Sequence, residues 1–131
     1  MDPFFLTVED AVQFHEDLIR RYGGRPGLRD LPALESALSQ PRATFRGKFL
    51  HADLYLMAAA YLFHIVQDHP FVDGNKRAGL YAALAFLEIN GVEIVASPVE
   101  VAEMVLRVAK GLLSKNEVAE YLQSHAQTGR Q

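Results

Sequence analysis

A histidine, a carboxylate and two cations fall within the nine residues HPFVDGNKR, positions 69 to 77. Histidine is the side-chain type that takes a proton from a hydroxyl near neutral pH, which makes His69 a candidate general base. Four positions on, Asp73 is an oxygen donor of the kind Mg²⁺ uses singly when it bridges phosphates. Gly74 and Asn75 then open a helix, whose free N–H groups point outward and bind anions, and glycine lets the backbone approach closely. Lys76 and Arg77 follow at the positive end of the helix dipole, where each cation is unfavourable by a few tenths to about 1 kcal/mol. A phosphate chain reverses that balance through charge-assisted hydrogen bonds. These are the parts of phosphoryl or nucleotidyl transfer. Singly, each residue has a plainer use: Asp73 as a helix cap, His69 as a satisfied helix-end histidine, Lys76 and Arg77 as solvated surface. Capping accounts for Asp73 but for neither His69 nor the two misplaced cations, so the combination is what points to a phosphate site.

The elements that must carry these residues are helical. Thr7 can cap a helix to about Tyr22, with Asp10 as an imperfect capping-box partner and GGRPG as its stop. Asp30 can cap a second helix, Leu31 to about Ser39, ended by Pro41. Residues 41 to 51, PRATFRGKFLH, have no helical period and read as a flap-like loop or small hairpin. The third helix, about Ala52 to Asp68, is apolar nearly all round and therefore central. Its polar exceptions Asp53, His64 and Gln67 share one stripe, which meets solvent or a site. Pro70 disfavours helical geometry at His69. The fourth helix runs from about Gly74 to Asn90, with Asp73 as N-cap, Gly91 as stop, and Ala78, Gly79, Ala82 and Ala83 as a close-packing face. Capping boxes at Ser97 (SPVE) and Ser114 (SKNE) start helices five and six. VEIV, 92 to 95, is the only strand-like run, too short and solitary to build a sheet. The expectation is an all-α fold, a single domain over residues 1–131 with about six helices around the third and a short flap.

Composition narrows the function classes. Half of the residues are hydrophobic and 22% are charged, as in soluble globular proteins. Cysteine is absent, so no disulfide, thiolate metal site or cysteine nucleophile is available, which fits a reducing cytosol. The opening MDPFFLTVED lacks a secretory pattern, and LYLMAAAYLFHIVQ falls short of the roughly 20 residues of a membrane span. A cytoplasmic protein without membrane contact is expected. A net charge of −3 argues against direct nucleic-acid binding. His15 and His125 read as exposed, His51 and His64 as lying near the site, and the tail QSHAQTGRQ as frayed.

HPFVDGNKR also resembles the signature of the Fic/Doc family: His, any residue, Phe, any residue, Asp or Glu, Gly or Ala, Asn, Gly or Lys, Arg. Every position is satisfied. The resemblance extends to GLRDLPALESAL upstream and ALAFLEINGVEI downstream, and is greatest to the short death-on-curing toxins. It implies that His69 deprotonates a hydroxyl on a target protein, that Asp73 holds Mg²⁺, and that Gly74, Asn75, Lys76 and Arg77 form the anion nest for ATP. Phe71 would anchor the loop in the core. Arg42, Phe45, Arg46 and Lys48 would belong to the flap that aligns a target segment by strand-like pairing. Lys76 stands where the AMP-transferring members have glycine, and Leu80 where they have a second arginine. Both features are shared with the death-on-curing branch, in which the γ-phosphate passes to elongation factor Tu. The resemblance thus implies a translation-inhibiting kinase toxin of a toxin–antitoxin module, with AMP transfer as the alternative. The family's self-inhibitory sequence (Ser or Thr, three residues, Glu, then Gly or Asn) is not found, so restraint would come in trans from a Phd-like antitoxin whose disordered tail folds on this surface.

Two rivals come from other classes. His51, His64, Asp68, His69 and Asp73 suggest a metal-dependent phosphohydrolase, although the adjacent pair reads Asp-His where such enzymes use His-Asp. A non-catalytic binding module keeping the fold is the other, and His69→Ala would then leave every cellular effect unchanged.

Overall fold

Capping residues and glycine stops partition the chain into six helices: α1 (Val8–Tyr22), α2 (Leu31–Ser39), α3 (Leu54–Asp68), α4 (Asn75–Ile89), α5 (Pro98–Ala109) and α6 (Lys115–Ser124). The computed structural model describes residues 2–128. A helix that is apolar on every side is stable in water only when surrounded, and α3 meets that demand by packing against α2, α4, α5 and α6. Ala58, Ala59, Ala60, Tyr61, Leu62 and Ile65 along it are fully buried. α1 lies against α4 and α2.

The tightest packing is between α3 and α4. Ala78, Gly79, Ala82 and Ala83 are all buried on the facing side. A Cβ at Gly79 would stand 2.9 Å from Val66 Cγ2 and 3.2 Å from the Leu62 carbonyl oxygen, so only glycine permits this approach. The helix pair is thus a rigid frame for the loop that joins it. Tyr61 ties the N-terminal segment to the same core: its hydroxyl accepts the Leu6 N–H at 2.9 Å, and burial pushes the phenol up to about 12.

The helical expectation holds, with differences at several ends. α3 begins at Leu54 and not at Ala52, because Asp53 accepts the Leu56 N–H and so caps it. α4 is capped by Gly74 in a left-handed conformation, φ 75°, with no side-chain hydrogen bond; Asp73 is not its N-cap. Thr7 with Asp10 and Ser114 with Glu117 form complete capping boxes, whereas Ser97 supplies one half, accepting the Glu100 N–H at 3.5 Å. On the polar stripe of α3, Asp53 and Gln67 are exposed, Gln67 also donating to the Val108 carbonyl, whereas His64 is half-buried and faces Lys115.

Four short strands complete the chain: β1 (Thr44–Phe45), β2 (Lys48–Phe49), β3 (Val92–Ile94) and β4 (Ala126–Thr128). β1 and β2 form the flap hairpin, Thr44 opposite Phe49 and Phe45 opposite Lys48. β3 is not solitary. It pairs antiparallel with β4, Val92 opposite Thr128 and Ile94 opposite Ala126, so part of the tail expected to fray is a strand. Residues 129–131 of that tail lie outside the described residues. Nor is His125 fully exposed, since its ring packs on Tyr121 at 4.3 Å between centroids. No helix among the described residues is long and apolar enough to cross a membrane.

Candidate active site

The loop between α3 and α4 begins at a left-handed residue. Pro70 bars His69 from right-handed helical geometry, and His69 ends α3 at φ 50°, ψ 56°. For a residue other than glycine this costs on the order of 1 kcal/mol and needs support from its surroundings. Arg29 supplies it: its Nε donates to the His69 carbonyl at 2.6 Å and its Nη2 to the Asp68 carbonyl at 3.0 Å. The guanidinium thereby covers orphan carbonyls at the negative end of α3. The Pro70 carbonyl accepts the N–H groups of Arg29 and Asp30, and Val72 donates to the Gly27 carbonyl at 3.0 Å. The α1–α2 connection, read from sequence only as a helix stop, is therefore the second wall of the site.

The ring of His69 is oriented by its own chain. Nδ1 lies 3.1 Å from the Gln67 carbonyl oxygen, which can only accept, so Nδ1 carries the proton. In the neutral ring this tautomer puts the lone pair on Nε2 of an exposed side chain, the atom a general base would use. Burial holds the neighbouring Asp68 above the usual carboxyl range, with His69 opposing it.

Phe71 anchors the loop, only 2% exposed. Its N–H donates to Asn75 Oδ1 and its carbonyl accepts from Asn75 Nδ2, both at 3.0 Å, so the Asn75 side chain replaces a strand partner for a buried peptide. Its carbonyl oxygen and one of its two amide N–H groups are thereby committed to the loop.

Asp73 is exposed, and both of its carboxylate oxygens are aimed. Oδ2 accepts the Arg25 N–H at 3.0 Å and Oδ1 the Gly74 N–H at 2.9 Å. The Arg25 N–H foremost, then that of Gly74, hold the carboxyl below its ordinary range, and the Arg25 and Arg77 charges add to this. Gly24 makes room: a Cβ there, at φ 113°, would stand 3.0 Å from Asp73 Oδ2.

Residues 22–24 and 73–77 line a cleft of about 280 Å³. Lys76 and Arg77 are exposed on its rim, and among the described residues neither is ion-paired. Arg77 stacks over Tyr22 at 5.1 Å. A larger groove, about 640 Å³, lies between α5 and α6 but is edged by Glu100, Glu103, Glu117 and Glu120, which would repel an anion. Charge, and not volume, picks out the smaller cleft.

The flap stands apart from that cleft, which none of Arg42, Phe45, Arg46 and Lys48 lines. Arg42 lies over the Phe5 ring at 5.3 Å, and Arg46 over Phe45 at 5.1 Å. At the base of the flap, Lys115 Nζ stands 3.3 Å from His51 Nε2 and 3.1 Å from His64 Nε2. An ammonium only donates, so both imidazoles accept and are neutral. Burial, then the Lys115 charge, lowers both pKa values, that of His64 to about 4. An ammonium between the two nitrogens speaks against the phosphohydrolase reading, and no group of three or more His, Asp or Glu among the described residues could hold a metal ion.

Sequence reasoning missed Arg25, Arg29 and His15. His15 is 2% exposed, not solvent-facing as expected. The signal was present, since His15 falls on the buried face of α1 with Ala11, Phe14 and Leu18. Likewise, three glycines in the five residues GGRPG exceed what stopping a helix requires.

Fold and loop together define a mostly helical protein in which a histidine loop leads into a cationic helix N-terminus. The family model described as the Fic/DOC family matches residues 5–87. The chain is 35% identical over 117 residues to "Protein kinase doc" of Escherichia phage P1, covering 89% of this chain and 91% of that one. It is 41% identical over 75 residues to "Toxin Doc" of Mycolicibacterium smegmatis, covering 57% and 58%. The chain belongs to the Fic/DOC family.

Proposed function

We propose that this chain is the toxin of a toxin–antitoxin module that transfers the γ-phosphate of ATP to a hydroxyl of a target protein, elongation factor Tu, and so halts translation in the cytoplasm. The observation that carries the reading is the exposed His69 side chain, whose Nδ1 contact with Gln67 leaves Nε2 as the basic nitrogen of the neutral ring, on a loop that leads into two cations of α4 with no ion pair among the described residues. The relative named a protein kinase, matched over about nine tenths of both chains, supports a kinase, as do Lys76 and Leu80 in place of the glycine and arginine of AMP-transferring members.

In this reading the target hydroxyl oxygen attacks the γ-phosphorus, His69 Nε2 takes its proton, and ADP leaves. The N–H groups at the start of α4 with Lys76 and Arg77 hold the phosphates in line. Asp73 fits Mg²⁺, because its carboxyl stays ionised and its oxygens are already aimed by two N–H groups. Bound Mg²⁺ would neutralise charge on the phosphate oxygens. With one carboxylate from the protein, its other ligands would be phosphates and water. Phe45 and Lys48 on the flap would receive the target segment, and an antitoxin supplied in trans would restrain the enzyme.

The test is the intact mass of elongation factor Tu after incubation with the protein, ATP and Mg²⁺. A gain of about 80 Da, one phosphoryl group, is expected with the wild-type chain and not with His69→Ala. A gain of about 329 Da would mean AMP transfer to the hydroxyl and would overturn the use made of Lys76 and Leu80. An unchanged mass would remove elongation factor Tu as the target.

A further inference from the structure

His15 takes no part in the chemistry above, yet it is a buried titratable ring directly beneath the site. Its imidazole stacks on Phe71, with centroids 3.9 Å apart and planes 4° from parallel. Its Nε2 lies 2.8 Å from the Asp73 carbonyl oxygen. A carbonyl only accepts, so the Nε2 proton is donated to it. The Gly74 Cα is close by, since a Cβ built there would stand 3.7 Å from the same nitrogen.

This contact acts on one of the two peptides whose N–H groups aim the carboxylate. In a planar trans peptide the carbonyl and the next N–H point in opposite directions as a single rigid unit. Holding the Asp73 carbonyl therefore sets the direction of the Gly74 N–H, and that N–H donates to Asp73 Oδ1. The same plane sets the left-handed entry of Gly74 into α4, where the anion-binding N–H groups begin. We infer that His15 is a positioning residue: through the Asp73–Gly74 peptide it fixes both the carboxylate and the helix N-terminus that are to receive a metal–nucleotide. The inference rests on the proposed phosphate site for its purpose, but not for its geometry.

The rival explanation is that His15 merely fills the core against Phe71, and two substitutions separate the ideas. His15→Phe keeps a stacked ring and loses the donor. His15→Gln loses the ring but can place an amide N–H near the former Nε2. Core filling favours Phe over Gln in every measurement, whereas positioning reverses the order at the site. Two readouts besides activity apply: the backbone amide resonance of Gly74 in the free protein, and binding of ADP with Mg²⁺ by calorimetry. We expect His15→Phe to remain folded, to move the Gly74 amide and to weaken ADP·Mg²⁺ binding by roughly 10-fold or more, as outer hydrogen-bond partners of metal ligands do. His15→Gln should restore most of both losses even where it melts lower. A His15→Phe protein with an unshifted Gly74 amide and wild-type affinity would overturn the inference, as would a His15→Gln protein worse than His15→Phe in both. If the wild-type chain itself fails to bind ADP·Mg²⁺, the phosphate-site reading falls, while the Gly74 amide still decides for or against His15. Should His15→Phe fail to fold, the Gly74 amide of His15→Gln decides: a wild-type position supports the donor role and a displaced one overturns it.

Discussion

The 69–77 loop and the 41–51 flap both connect helices and both carry cations, but they are held in opposite ways. Much of the loop's backbone ahead of α4 is held by side chains or by other segments: Arg29 on the 68 and 69 carbonyls, Gly27 on Val72, Asn75 at the start of α4 on Phe71, and His15 on Asp73. The flap is a hairpin of two residue pairs with Phe45 61% exposed at its end and a left-handed Arg46 in its turn. It is tied down mainly at its base, by Phe49 on Phe5 and His51 on Lys115. The difference teaches which task each segment suits. Donors and carboxylates for a phosphate chain must stay within a fraction of an ångström of their places, whereas a surface that receives a protein segment gains from freedom to adapt.

The largest effect should come from cutting the loop's internal brace. Asn75→Ala would strip both hydrogen bonds from the buried Phe71 peptide and destabilise the fold by about 2–3 kcal/mol, one unsatisfied group after another. Urea denaturation measures this, and a loss below about 0.5 kcal/mol, within the range of ordinary surface changes, would show that the loop is no better braced than the flap.

Next is the base of the flap, which should be weakened by acid. Burial, then the Lys115 and His51 charges, depress His64 from 6.5 to about 4, so the fold favours its neutral form. Between those values the unfolded chain binds more protons than the folded one, and stability falls as pH drops through that window. Above 6.5 His64 is neutral in both states and adds no pH dependence. Because His64 is partly exposed, solvent screening reduces the effect to about 1–2 kcal/mol. His64→Gln should flatten the slope, leaving the smaller part due to His51; melting curves with the same acid slope in both proteins would refute the coupling.

The smallest effect on stability belongs to the flap tip. Phe45→Ser should change stability by no more than about 0.5 kcal/mol and leave nucleotide binding intact, while lowering phosphorylation of the target when target is limiting. A variant that instead loses nucleotide affinity would join the two regions that the structure keeps separate.

What was legible in the residues was local. Caps at Thr7, Asp30 and Ser114, the all-round apolarity of α3 and the proline after His69 are near-neighbour signals, and each marked an element that the structure contains. HPFVDGNKR was legible for the same reason, because its chemistry is carried by residues adjacent in the chain. Asp73 was misjudged as a helix cap because its true partner, the Arg25 N–H, comes from 48 residues earlier. β3 looked solitary because its partner strand lies in the tail. His15 looked like surface because a ring's burial depends on what packs over it, and Phe71 and Asp73 are brought there only by the docking of α1 on α4. Near-neighbour stereochemistry thus determined the helices and the reactive residue types, whereas the aim of those residues arose only when segments far apart in the chain exchanged hydrogen bonds, which no local preference encodes.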